Sequence, residues 1–89
     1  MEFIINVTPS AREDIRFFKA YEQRIIADGI RLFLTRDALV ANNRRKLLDS
    51  NPIAPWELRI DNFRVFYDVE GTVVNIRAVG EKEHNDLYI

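Results

Sequence analysis

Three arginines, Arg59, Arg64 and Arg77, sit in the stretch WELRIDNFRVFYDVEGTVVNIRAVG at residues 56–80. Guanidinium groups match phosphate oxygens with paired, parallel N–H donors, so arginines brought side by side can hold a phosphate and stabilise charge that develops on it. The same residues also admit a plainer reading. Like charges directly opposite one another destabilise a sheet, by about 3 kcal/mol at about 5.5 Å and an effective dielectric near 20. Glu57 and Asp68 share the stretch, and if they neutralise the arginines the result is a solvated polar face. Residue types alone leave both readings open.

Whether the arginines meet depends on strand register. In RIDNFR, Asp61-Asn62 predicts a two-residue turn because both types tolerate positive φ, and VEGT offers Glu70-Gly71 for the next. In that register Ile60 faces Phe63, Arg59 faces Arg64 and Leu58 faces Val65; across the second turn Val69 faces Thr72 and Arg64 faces Arg77. Alternation then gives an apolar face of Trp56, Leu58, Ile60, Phe63, Val65, Tyr67, Val69, Val74, Ile76 and Ala78, suited to receive helices. The other face carries Glu57, Arg59, Arg64, Phe66, Asp68, Asn75 and Arg77 and opens to water. The expected arrangement is a row of Arg59, Arg64 and Arg77 across three adjacent strands.

The rest of the chain supplies the elements that position this meander. Phe3, Ile5 and Val7 alternate as a strand does, and TPSARED follows with a cap. Ser10 or Thr8 can accept from the first helical amides, while Glu13 and Asp14 suit a first turn. Ala11, Ile15 and Phe18, with Phe17 beside them, mark an apolar stripe; a second helix is predicted from about Tyr21 to Thr35 with Tyr21, Ile25, Ile26, Ile30, Phe33 and Leu34 on its buried side. Gly29 weakens its middle. Residues 36–55, including ANNRRKLLDSNPIAP, read as a structured loop, because Asn, Asp, Ser and two prolines oppose a long regular element.

Bulk properties bound the function. The chain has 89 residues, which reads as a single domain, residues 1–89, and 47% hydrophobic with 30% charged residues is the balance of an ordinary globular protein. No apolar run approaches the roughly 20 residues needed to span a bilayer, so no membrane contact is expected and the cytoplasm is the expected location. There is no cysteine and one histidine, His84, which opposes disulfides, thiolate metal sites and a transition-metal centre. The only glycines are Gly29, Gly71 and Gly80, so no glycine-rich phosphate loop exists. No metal or cofactor is expected. A net charge of −1 means that any attraction for a polyanion arises from a local patch.

A strand, two helices and a three-stranded antiparallel meander, together with NNRRKLL, LRIDNFRVFYDV and IRAVGEKEHNDLYI, resemble the RelE/ParE toxins of toxin–antitoxin systems over essentially the whole chain. The resemblance implies an α+β domain with one four-stranded sheet and an active site on its open face. RelE-like members cut messenger RNA on the ribosome without a metal, activating the ribose 2′-hydroxyl against the adjacent phosphate. ParE-like members instead poison DNA gyrase. The partners implied are a cognate antitoxin, with a homo-oligomer or a hetero-oligomer with the antitoxin as the expected assembly, and the ribosome with its messenger.

Matched residue by residue, Arg64 in FRVFY stands where the family arginine contacts the scissile phosphate, and Lys82 in VGEKE where the nucleases usually have a second arginine. Tyr88 in DLYI matches a tyrosine used near the base and 2′-hydroxyl. Pro55 and Glu57 occupy the positions of two lysines found in RelE nucleases. Some branches are similar in using a glutamate and a C-terminal histidine, which points to Glu57 and His84. The chemistry needs a base for the 2′ proton, cations for the charge on phosphorus and an acid for the leaving 5′-oxygen. The resemblance therefore implies Glu57 as base, Arg64 and Arg59 as charge stabilisers, Lys82, His84 or Tyr88 as acid, and Arg77, Arg44, Arg45 and Lys46 as contacts to RNA. Against these stand an ordinary Glu57 ion pair with Arg59 or Arg64, a solvated His84, a Tyr88 that pins the tail to the core, and a basic cluster that is only surface. The functional expectation is a ribosome-dependent endoribonuclease toxin; the alternatives are a ParE-like toxin that binds a protein such as DNA gyrase, and a decayed homologue that only binds an antitoxin.

Overall fold

The computed structural model describes residues 2–82. Strand β1 (Ile4–Val7) leads into helices α1 (Pro9–Arg16) and α2 (Ala20–Leu34), followed by β2 (Arg45–Leu47), β3 (Trp56–Ile60), β4 (Phe63–Glu70) and β5 (Val73–Glu81). Among the described residues these strands form one sheet in the order β1-β5-β4-β3-β2, with β1 parallel to β5 and the other pairs antiparallel. The fold is therefore α+β as expected, with five strands where four were expected. The additional strand, β2, lies inside the segment read as a loop. It is three residues long and among the described residues pairs with β3 alone, too short to leave an alternation that composition would reveal.

The helices start where local chemistry lets them. Thr8 is the N-cap of α1: its hydroxyl accepts from the Ala11 amide at 3.3 Å and donates to the Ile76 carbonyl at 2.7 Å, tying the cap to β5. Pro9 occupies the first turn, where its missing N–H costs nothing. Glu13 and Asp14 thus lie beyond the first turn, contrary to the expectation, and the Asp14 carboxylate instead accepts from the Val79 amide at 3.0 Å. In α2, Glu22 accepts from the Lys19 amide at 2.9 Å, half of a capping box. Its inward face holds Ile26, Gly29, Ile30 and Leu34, whereas Tyr21, expected inside, is exposed, as is Phe17 at the C-cap of α1.

The core is one layer of helix on one face of the sheet. Trp56, Leu58, Ile60, Phe63, Val65, Tyr67, Val74 and Ile76 are all buried, as parity requires. Trp56 stacks on Tyr67 with ring centroids 5.9 Å apart, and Phe18 meets Phe63 edge-on at 5.3 Å. The Tyr67 hydroxyl donates to the Ala38 carbonyl at 2.7 Å. Burial raises its pKa, and the nearby Arg45 charge opposes this only in part, so the phenol stays protonated.

Register departs from expectation between β4 and β5 only. Between β3 and β4, Arg59 pairs with Arg64 and Ile60 with Phe63, around Asp61 at φ 51°. Between β4 and β5, Glu70 pairs with Val73 and Val69 with Val74, so the turn residues are Gly71-Thr72 and Val69 does not face Thr72. The reason is Gly71 at φ 60°: hairpin turns want positive φ at their first central position, which glycine adopts without strain. A second shift follows. Tyr67 pairs with Ile76 but Phe66 pairs with Ala78, leaving Arg77 as the extra residue of a β-bulge. Past the bulge Val79, not Ala78, enters the core, and Arg64 faces Gly80, not Arg77.

Candidate functional site

The open face of the sheet divides into two halves. On β1, β5 and the turn end of β4, polar side chains satisfy one another. Asn6 donates to Asn75 at 2.8 Å, Asn75 donates to Asp68 and Glu70 at 2.9 Å each, and Arg77 donates to Asp68 at 2.5 Å with Glu70 at 3.7 Å. Burial works to raise the Asp68 pKa but is outweighed by hydrogen bonds from Arg77 and Asn75 and by the Arg77 charge, so it ends below the usual carboxylate value. Arg77 is raised in turn, chiefly by its hydrogen bond to Asp68. This half is the solvated, neutralised face of the plainer reading, and it removes Arg77 from the expected arginine row.

The other half gathers cations. Around the β3–β4 hairpin an open pocket of about 490 Å³ is lined by Asn42, Asn43, Arg44, Arg59, Asp61 and Arg64. Arg64 is 8% exposed; its Nη1 donates to the carbonyls of Asp61 at 3.0 Å and Phe63 at 2.9 Å. Among the described residues no carboxylate lies within ion-pair distance of it. Within the described residues this buried charge is held by carbonyls, which compensate it poorly, and an anion in the pocket would compensate it. Arg59, directly opposite, donates from Nε to Glu57 at 3.0 Å, with the arginine side chain 42% and the carboxylate 13% exposed.

The third cation of the row comes from another direction. The Asn42 side chain accepts from the amides of both Arg44 and Arg45 at 2.8 Å, an Asx-type turn that fixes the entry to β2. The Arg44 carbonyl accepts from the Arg59 amide, its Nη1 donates to the Arg59 carbonyl at 3.2 Å, and its guanidinium lies 4.2 Å from the Phe33 ring centroid. Arg44 therefore stands beside Arg59 where Arg77 was expected beside Arg64. Arg45 does the reverse of what its neighbours suggest. It is 6% exposed and donates to the carbonyls of Phe33 at 3.0 Å and Val40 at 2.9 Å, closing the C-terminal end of α2. The expectation that it contacts RNA is corrected: it turns inward because its β2 position pairs with the core residue Leu58.

Of the remaining expected residues, Lys46 pairs across strands with Glu57 and is half-buried on the open face. The Lys82 amide donates to the Asn62 carbonyl at 2.7 Å, placing this exposed lysine at the same end of the sheet as the pocket. His84 and Tyr88 lie outside the described residues. Sequence reasoning missed Asn42, Asn43 and Asp61 as pocket walls; the Asn-Asn pair, a turn signal immediately before two arginines, was the trace of them.

A scan against protein-family models finds no match, and a search of curated proteins finds none either. Solved structures do match. A chain of the toxin–antitoxin complex RelBE2 from Mycobacterium tuberculosis superposes with a TM-score of 0.79 at 19% identity, over 91% of this chain and 99% of that one. The archaeal RelE–RelB complex from Pyrococcus horikoshii gives 0.70 at 12% identity, covering 92% and 97%. A mutant of the E. coli toxin RelE in the free state gives 0.67 at 21% identity, covering 99% and 92%. These likenesses establish the fold: the chain adopts the RelE-like fold.

Proposed function

We propose that this chain, built on the fold of RelE toxins, is the toxin of a toxin–antitoxin pair and acts as a metal-independent, ribosome-dependent endoribonuclease on messenger RNA. The observation that carries this reading is the cationic pocket, with Arg59 and a buried Arg64 side by side and Arg44 completing the row. Glu57 takes the proton of the ribose 2′-hydroxyl, and the 2′-oxygen attacks the adjacent phosphorus. Arg64 and Arg59 bind the non-bridging oxygens as their charge grows. The bond from phosphorus to the 5′-oxygen breaks and that oxygen receives a proton from Lys82, His84 or Tyr88, leaving a cyclic phosphate and a 5′-hydroxyl. An antitoxin of complementary charge covers the same half of the sheet and keeps the toxin silent, in keeping with neighbours whose structures are RelE–RelB complexes.

One observation favours a second reading. Glu57 is already engaged by Arg59, so the face can also be read as a preformed surface for a protein target such as DNA gyrase. The deciding experiment is induced expression without antitoxin, with messenger 5′ ends mapped in the presence of ribosomes. Growth arrest with new 5′ ends is expected. Arrest without new ends overturns the nuclease reading for the binding one, and neither arrest nor cleavage leaves a homologue that only binds its antitoxin.

A further inference from the structure

Phe66 is an aromatic side chain on the open face that neither the core nor the pocket uses. It is half-buried, yet it belongs neither to the buried core nor to the partly buried side chains packed against that core. Its cross-strand partners are Glu57 on β3 and Ala78 on β5. It lies on the same face as Arg64 and two residues further along β4, roughly 6 to 7 Å away at the rise of a strand.

The β-bulge clears the ground beside it. Because Arg77 is the extra residue and is drawn to Asp68, Ala78 stands opposite Phe66 and Gly80 opposite Arg64. The strip of β5 next to the ring and the buried arginine is therefore made of the smallest side chains. A flat ring beside arginines, on the sheet face that no helix of the described residues covers, matches the demands of single-stranded RNA: the base stacks and the backbone phosphate meets guanidinium. The charge beside it, from Arg44, Arg59 and Arg64, selects a polyanion.

We propose that Phe66 is the stacking platform for a nucleobase flanking the phosphate held by Arg64 and Arg59, so that the substrate strand is gripped through base stacking. This rests on the nuclease reading. A base held by its flat face is accepted whatever its identity, since every base has one, so Phe66 supplies grip and alignment without selecting a sequence.

The test uses ribosomes programmed with a messenger carrying either normal nucleotides or an abasic analogue on each side of the cleaved phosphate in turn. The variants are Phe66→Ala, Phe66→Leu and Phe66→Tyr, each checked for an unchanged denaturation midpoint. On the intact messenger, Phe66→Ala and Phe66→Leu should lower kcat/KM about 10- to 100-fold, the scale of one lost base–aromatic stack. Phe66→Tyr should stay within about threefold, and one abasic messenger should abolish the difference between variants and wild type. Equal activity of the leucine and tyrosine variants, or the same loss on every abasic messenger, overturns the platform. So does a Phe66→Ala protein that cleaves normally but loses its antitoxin, because the ring is then a protein contact. A wild type that cleaves nothing removes the nuclease reading and the platform with it, whereas a cleaving wild type indifferent to Phe66 removes the platform alone.

Discussion

Arg64 carries a charge 92% removed from solvent, held in place by two main-chain carbonyls and aimed at a pocket with Arg59 and Arg44. If its task is to meet charge growing on a phosphate, Arg64→Ala should lower cleavage of ribosome-bound messenger by roughly 100-fold or more, the scale seen when one preorganised donor is lost. Arg64→Lys should recover only part, since lysine keeps the charge without the fork that binds both carbonyls and phosphate. Glu57→Gln separates its two roles. A base that is replaced by an amide loses activity by a comparable factor; an ion-pair partner of Arg59 contributes only about 0 to 1 kcal/mol, and its loss would leave turnover intact. Single-turnover cleavage rates for the three variants distinguish these outcomes. At this scale the sequence was most informative for Arg59 and Arg64, whose pairing depends on a two-residue turn that Asp61 advertises. It was least informative for Arg45, because a basic triplet in a loop reads as surface until β2 is known to turn its middle residue inward.

Helix α2 meets the sheet at Gly29, where an added Cβ would lie 2.5 Å from Cδ1 and 2.8 Å from Cγ1 of the buried Ile60. Gly29→Ala gains about 1 kcal/mol of helix propensity but overpacks this contact, which typically costs about 1 to 3 kcal/mol. The expected outcome is a lower denaturant midpoint, partly restored when Ile60→Val removes the nearest methyl; a stabilised single variant would mean that Ile60 moves aside freely. The polar half of the sheet makes a different prediction. Asp68 has a folded-state pKa held below its unfolded value of about 3.9 despite the opposing effect of burial. Its stabilising contribution is therefore complete above that unfolded value and is lost as pH falls through the lower folded one. Asp68→Asn should be less stable than wild type at neutral pH, and the gap should close below about pH 4 in thermal melts; a constant gap across the acid range would rule out the ion pair as its cause. The strands and helices were legible because long alternations and caps announce themselves. The bulge was not, since no glycine or proline marks Arg77; the turn at Gly71-Thr72 had already moved Arg77 out of register with Arg64, and the extra residue carried the shift one position further. The three-residue β2 was equally silent, and with it the place of Arg44.

For the molecule as a whole, a net charge of −1 conceals a face where Arg44, Lys46, Arg59 and Arg64 outnumber Glu57 and Asp61. Binding of a short single-stranded RNA with a 2′-deoxy group at the cleaved position should weaken with salt at a slope of about −2 in log–log form if Arg44, Arg59 and Arg64 each neutralise one phosphate. Arg44→Ala should make that slope shallower by roughly 0.7, while Arg45→Ala should destabilise the fold and leave the slope alone; a slope near zero would mean that the pocket is not a polyanion site. The topology carries a consequence in time. Strand β1 is made before the other strands, yet among the described residues its one neighbour in the sheet is β5, with Ile4 set against Val73 and Val7 against Ile76. The Thr8 cap of α1 also leans on β5 through the Ile76 carbonyl. The β3–β4 hairpin can close as it leaves the ribosome, but the amino-terminal strand must wait, unpaired, for a partner nearly seventy positions downstream. A nascent chain of this kind cannot finish its sheet while β5 is still being synthesised, so the first strand laid down is among the last to be secured.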